Sequence, residues 1–215
     1  NPVNSTLAAQ VSRSSHLYLL GRRKRCLRQS RPRSTVPGFL GRGLSLYPMR
    51  QYLIERGHPV YCADLGFGLG CIKEKARLLE ELIFEEGLED FYMVGHSMGG
   101  LIQLAMGQEA TSRVRHFLSL GTAYRGAVLS HLVPISPAAR QLNPGSELVA
   151  ELYEVARRRT NLPAIIGRWD EIAFPKRALQ IQGECEELEG VAGPVPLITH
   201  RESLEQLAGV LGRLG

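Results

Sequence analysis

The chain has 215 residues, 44% of them apolar and 22% charged, which suits one folded domain with a full core and is short for two. No apolar run approaches the roughly 18 residues of a membrane-spanning helix. Cys26, Cys62, Cys71 and Cys185 lie far apart without a C-x-x-C pair, which argues against a zinc site or a disulfide framework.

The net charge of +5 belongs to one end of the chain. Ten of the 26 Lys and Arg precede the first acidic residue, Glu55, leaving 16 basic against 21 acidic groups in the remainder. Residues 1–35 therefore read as a basic, poorly ordered extension. An arm for nucleic acid or anionic lipid, or an Arg- and Ser-rich targeting segment, are the alternatives. The short apolar run from His16 to Leu20 is too brief for a secretory signal. The cysteines read as mostly reduced, with Cys62 a buried strand residue; the location is left open, with the cytoplasm slightly favoured.

From about residue 35 the pattern becomes regular. Residues 44–56 carry apolar side chains at helical spacing, with Gly57 as the stop. Residues 59–63 form an apolar run suited to a strand, and residues 64–70 a glycine-rich loop. Residues 72–84 predict an amphipathic helix with Ile72, Ala76, Leu79 and Ile83 on one face. A strand at 91–95 and a helix from about 98 to 109 follow, then strands at 114–120 and 163–167. A short candidate strand lies at 179–181, and a helix at 202–214 ends the sequence. Strands alternating with helices imply a parallel sheet covered on both faces. The alternation is interrupted at about 127–161, a stretch with three prolines and a helix from about 146 to 159, which would serve as a small cap or lid over the strand ends. The loop of Gly66, Gly68 and Gly70 lacks both the lysine of a phosphate-binding loop and the G-x-G-x-x-G spacing.

One segment carries more chemistry than the rest. Gly95-His96-Ser97-Met98-Gly99 is a G-x-S-x-G sequence followed by Gly100, directly after an apolar strand and directly before a helical run. In that context a serine sits on a strained turn with its hydroxyl projecting from the end of a sheet. The helix that follows presents backbone N–H groups to a developing oxyanion.

With three further segments, this elbow resembles the α/β-hydrolases, in their small bacterial lipase and esterase branch, from about Pro37 to the end of the chain. Pro37-Gly38-Phe39-Leu40-Gly41 is similar to the H-G-F-L-G oxyanion loop, and residues 118–127 (LSLGTAYRGA) to an L-G-T-P-x-x-G segment. Residues 166–175 (IGRWDEIAFP) are similar to the loop that supplies the acid. The resemblance implies an α/β-hydrolase fold, with 36–215 as one domain, and carboxylic ester hydrolysis through an acyl-enzyme. Ser97 would be the nucleophile, Asp170 the carboxylate that orients the base, and the N–H groups of Met98 and Phe39 the oxyanion donors. Glu171 is the neighbour able to replace Asp170, while Asp64 comes too early for the order serine, acid, histidine.

The sequence departs from the family at two histidine positions. Pro37 stands in the oxyanion loop, and Pro194 (or Gly193) where the catalytic histidine is expected. His200, the one histidine after Asp170, becomes the candidate base by chain order, about six residues late. His96 lies inside the elbow, where the family uses its residue to support the turn. Residues 29–36, where the family has an apolar strand, contain one strongly apolar residue. Point changes at the two prolines, or a shifted reading frame upstream of about residue 36, would each produce such a pattern. The implied partner is a small ester or lipid, with no cofactor, metal or nucleic acid. The alternatives are an inactive binding protein on the same fold, or an acyltransferase or thioesterase.

Overall fold

The computed structural model describes residues 33–36, 46–66, 69–127, 130, 136–160, 162–169, 185–192 and 196–214. Within these, six parallel strands form one sheet in the order β2-β1-β3-β4-β5-β6. The strands are β1 (Arg33–Val36), β2 (Val60–Cys62), β3 (Phe91–His96), β4 (Val114–Leu120), β5 (Ala164–Trp169) and β6 (Cys185–Ala192). The helices are α1 (Tyr47–Glu55), α2 (Ile72–Glu85), α3 (Met98–Leu104), α4 (Gln108–Ser112), α5 (Pro137–Gln141), α6 (Glu147–Arg158), α7 (Pro196–Thr199) and α8 (Arg201–Leu214).

Strand β3 shows why the sheet needs cover on both sides. All six of its residues are buried, and alternate ones enter different cores. Phe91 and Met93 pack with Ile72, Leu79 and Ile83 of α2, Leu101 of α3 and Leu152 of α6. Tyr92 and Val94 face the opposite way, into a cluster with Met49 and Leu53 of α1 and Leu204, Leu207 and Leu211 of α8. Burial on both faces is what a parallel sheet demands, and it makes β3 a continuous apolar run in the sequence.

Three expectations meet a different structure, and one strand appears that the sequence did not signal. The helix expected over 98–109 is two helices, because Gly107 leaves the helical region at φ −68°, ψ 165° and donates its N–H to Glu80 Oε1 at 2.6 Å. Strand β1 begins at Arg33, inside the segment expected to be an extension, and pairs with β2 on one side and β3 on the other. Cys62 is half-buried rather than buried, since β2 lies at the end of the strand order. Strand β6 was not expected, and the candidate strand at 179–181 falls outside the described residues.

The interruption between β4 and β5 holds α5 and α6. Each starts with a serine cap: Ser136 accepts from the Ala139 N–H and Ser146 from the Val149 N–H. This segment is tied to the body beside the loop that leaves β2. The Ala138 N–H donates to the Leu69 carbonyl at 3.2 Å, and Lys73 pairs with Glu151 at 2.8 Å. The Gln141 amide bridges the start of α2, accepting from the Ile72 N–H at 2.8 Å and donating to Cys71 Sγ at 3.2 Å. Helix α2 has no side-chain cap of its own, so Gln141 occupies that place.

The β2–α2 loop is closed from within by a lysine. Lys75 is buried and donates from Nζ to the Leu65 carbonyl at 2.6 Å. Burial pushes its ammonium below the ordinary lysine value, against the opposing pull of Asp64 and Glu74. The charged form is thus disfavoured in the folded chain relative to the unfolded one. In the interval between the lowered value and the unfolded one, the unfolded state holds the extra proton, so Lys75 makes stability rise with pH there. Chemical denaturation from neutral pH upward should show the wild type gaining stability relative to Lys75→Met; parallel curves for the two proteins would contradict this.

Candidate active site

Ser97 joins β3 to α3 as a single residue. Its φ is 52° and its ψ −121°, a region that L side chains rarely occupy and that costs about 1–3 kcal/mol. Three hydrogen bonds hold it there. The Ser97 N–H donates to the Leu120 carbonyl at 2.8 Å, and its own carbonyl accepts from the Gly100 N–H at 3.1 Å. The same carbonyl accepts from Thr122 Oγ1 at 2.9 Å. The residue stays partly exposed while both its neighbours, His96 and Met98, are buried.

The glycines flanking the serine are fixed by contact distance. A Cβ on Gly95 would lie 2.7–2.8 Å from backbone atoms of Gly99 and Gly100, so strand and helix pass too closely for any side chain. A Cβ on Gly100 would lie 2.0 Å from Thr122 Oγ1 and 2.7 Å from its Cγ2. The two glycines thus answer to different neighbours, one to a helix backbone and the other to a side chain from the end of β4.

Met98 is the first residue of α3, and its N–H has no acceptor within the helix. That places its N–H at the helix terminus, where the oxyanion donor is expected. Phe39, expected as the second donor, and Asp170, expected as the acid, lie outside the described residues, as do Pro37, Glu171, Gly193 and Pro194.

His200 is described. The chain leaves β6 at Ala192, which pairs with Trp169 at the carboxyl end of β5. It returns through α8, whose last residue Leu214 accepts from the Tyr92 hydroxyl near the start of β3 at 3.0 Å. His200 precedes α8 and so belongs to the end of this helix remote from Tyr92, about 20 Å along the helix axis at 1.5 Å per residue. Its carbonyl accepts from the Leu204 N–H at 3.1 Å. The residue is exposed. Among the described residues, no hydrogen bond joins Ser97 Oγ to the His200 imidazole.

The motif reading assigns Thr122 no role of its own. This residue is buried, sits just beyond β4, and contacts the elbow twice, through its hydroxyl on Ser97 and its bulk on Gly100. The signal was its place in the L-G-T segment. Deeper in the same layer, Gln103 is fully buried and donates to the Leu118 carbonyl at 3.2 Å, while the Tyr124 hydroxyl bonds Ser119 Oγ.

A depression of about 540 Å³ lies elsewhere, lined by Glu89, Asp90 and residues 112–115. These residues precede β3 and open β4, at the sheet edge opposite Ser97, and Arg115 pairs with Asp90 at 2.7 Å. Its charged lining and its distance from the elbow separate it from the candidate chemistry.

Gly95→Ala should lower stability by about 1–3 kcal/mol, the range for forcing extra volume into packed structure. An unchanged urea midpoint would mean that strand and helix can separate freely, contrary to the contact distances.

A sequence model of the alpha/beta hydrolase fold matches residues 36–153, just over half of the chain. That span contains the elbow and Thr122 and ends before Asp170 and His200. A search of curated proteins found no matching sequence. Solved structures give likenesses at low identity. Aspergillus fumigatus lipase B is 15% identical with a TM-score of 0.61, covering 73% of this chain and 44% of that one. The propeptide form of Bacillus licheniformis lipase BlEst2 is 14% identical at 0.69, covering 85% and 50%. Paleococcus ferrophilus monoacylglycerol lipase is 16% identical at 0.62, covering 85% and 93%. The chain thus spans about half the length of the first two lipases and nearly all of the third. Among the described residues, no helix is long and apolar enough to cross a membrane. With the sheet, the strand-to-helix elbow and the sequence match in agreement, the chain belongs to the α/β-hydrolase fold family.

Proposed function

We propose that the protein is a serine hydrolase of lipase or esterase type, acting on carboxylic esters through an acyl-enzyme. The observation that carries this reading is Ser97 at φ 52° between β3 and α3. A buried strand end and a helix start enforce a costly backbone there, and such strain clusters at functional positions. In the reaction, Ser97 Oγ attacks the ester carbonyl carbon as a base removes its proton. The carbonyl oxygen becomes an oxyanion facing the Met98 N–H, with the Phe39 N–H as the second donor. The tetrahedral intermediate collapses to the acyl-enzyme and releases the alcohol, which takes its proton from the base. Water then repeats the sequence and frees the acid. No cofactor or metal enters these steps. The structural likeness to lipases, including a monoacylglycerol lipase, supports an ester or lipid as substrate.

The base is assigned to His200, oriented by Asp170. His200 is exposed and, among the described residues, makes no hydrogen bond to Ser97 Oγ, and Pro194 stands where the family's histidine would be. That exposure favours a second reading, a fold that has kept its nucleophile but binds an acyl ligand or a protein partner without turnover. An acyltransferase or thioesterase would share the elbow and differ in acceptor or substrate.

A fluorophosphonate probe separates these readings. Labelling of Ser97 that vanishes in Ser97→Ala is the expected result, and folded protein that resists the probe would remove the hydrolase reading. His200→Ala should then abolish labelling; if labelling persists, another group is the base. Pro194→His should raise ester hydrolysis about tenfold or more, given the 10²–10⁴-fold range of general base catalysis.

A further inference from the structure

We propose that Thr122 is a positioning residue for the oxyanion donor, acting by clamping the peptide that joins Ser97 to Met98. The proposal rests on the serine hydrolase reading given above and adds to it a residue that fixes where the Met98 N–H points.

The argument starts from peptide planarity. The Ser97 carbonyl and the Met98 N–H belong to one trans peptide unit, so they point in opposite directions in one plane. Whatever fixes the carbonyl therefore fixes the N–H. The carbonyl accepts two hydrogen bonds, from the Gly100 N–H at 3.1 Å and from Thr122 Oγ1 at 2.9 Å. The first lies within the opening turn of α3 and travels with it. The second ties the peptide to the sheet.

Thr122 can serve as an anchor because it is itself held. It is 1% exposed, its carbonyl accepts from the Tyr124 N–H at 3.0 Å, and the preceding Gly121 donates to the Ile165 carbonyl at 2.9 Å. Leu120, two residues earlier, accepts from the Ser97 N–H at 2.8 Å. The end of β4 thus grips Ser97 at both its N–H and its carbonyl. Gly100 completes the arrangement, since a Cβ there would occupy the position of the Thr122 hydroxyl. The fourth residue of the S-M-G-G run is therefore a glycine to admit the threonine. With the carbonyl directed at Thr122, the Met98 N–H is aimed away from it, where an oxyanion on a substrate bound to Ser97 Oγ would develop.

The test compares Thr122→Ala with Thr122→Ser. Both lose the methyl group and neither adds bulk, so they differ in the hydroxyl. Thr122→Ala should lower kcat for a p-nitrophenyl ester and the rate of fluorophosphonate labelling about 10- to 100-fold, with KM within about twofold, as expected when one oxyanion donor is misaimed. Thr122→Ser should stay within about threefold of wild type. Amide hydrogen exchange reports the clamp without activity: exchange at Gly100 should quicken at least tenfold in Thr122→Ala and not in Thr122→Ser, with Leu118 as the internal reference. Equal behaviour of the two variants in exchange overturns the clamp, whether or not the protein hydrolyses esters. Clamping in the exchange data with equal kcat overturns the role in catalysis. Wild-type protein that folds and takes no label, while the variants show the exchange difference, would instead remove the hydrolase reading and leave Thr122 as a purely structural anchor.

Discussion

The chain has one residue in which to change from strand to helix, and the geometry of the candidate site follows from how that change is held. Strand β3 and helix α3 approach until the Cβ position of Gly95 lies 2.7–2.8 Å from helix backbone. A turn that tight forces Ser97 to a positive φ, at a local cost of about 1–3 kcal/mol. The surrounding structure offsets this with paired backbone bonds to β4 and with side chains packed on both faces of β3. A serine in an ordinary loop would relax; here the relaxation would have to separate two core elements.

Much of this was legible in the sequence, because the elements that build the elbow have strong periodic signals. Phe91, Tyr92, Met93 and Val94 are apolar without interruption since both faces of β3 are covered. The 72–84 stripe predicted α2 to within a residue because an amphipathic helix buries one face. What was not legible has particular causes. Strand β6 contains Glu186, Glu187 and Glu189, and backbone pairing to β5 fixes it where an apolar run does not. Strand β1, with the sequence RSTV, is similarly defined by ladders on its two sides. The break at Gly107 depends on Glu80, a residue 27 positions away. Chain order could nominate His200 but could not give its exposure, which is a matter of which way the start of α8 faces.

The sheet keeps its two edges chemically apart. At the carboxyl ends of the strands stand a strained serine, a helix N-terminus and the α5–α6 segment beside the β2–α2 loop. At the amino ends stand charged pairs, exposed Arg115 with Asp90 and half-buried Arg113 with exposed Glu89, screened by solvent. In a parallel sheet every strand points the same way, so ligands collect at one edge, where the loops that follow the strands converge.

Gln141 gives the α5–α6 segment a part in the folding of the body. It caps helix α2 from 69 positions downstream, so the first turn of α2 lacks that acceptor until residues beyond β4 have arrived. The loop closed by this contact is long, and its entropy must be met before the contact returns anything. Non-local contacts of this kind slow folding. The first turn of α2 thus depends on a contact made across the chain, while its middle is held where Ala76, Leu79 and Ile83 meet the core.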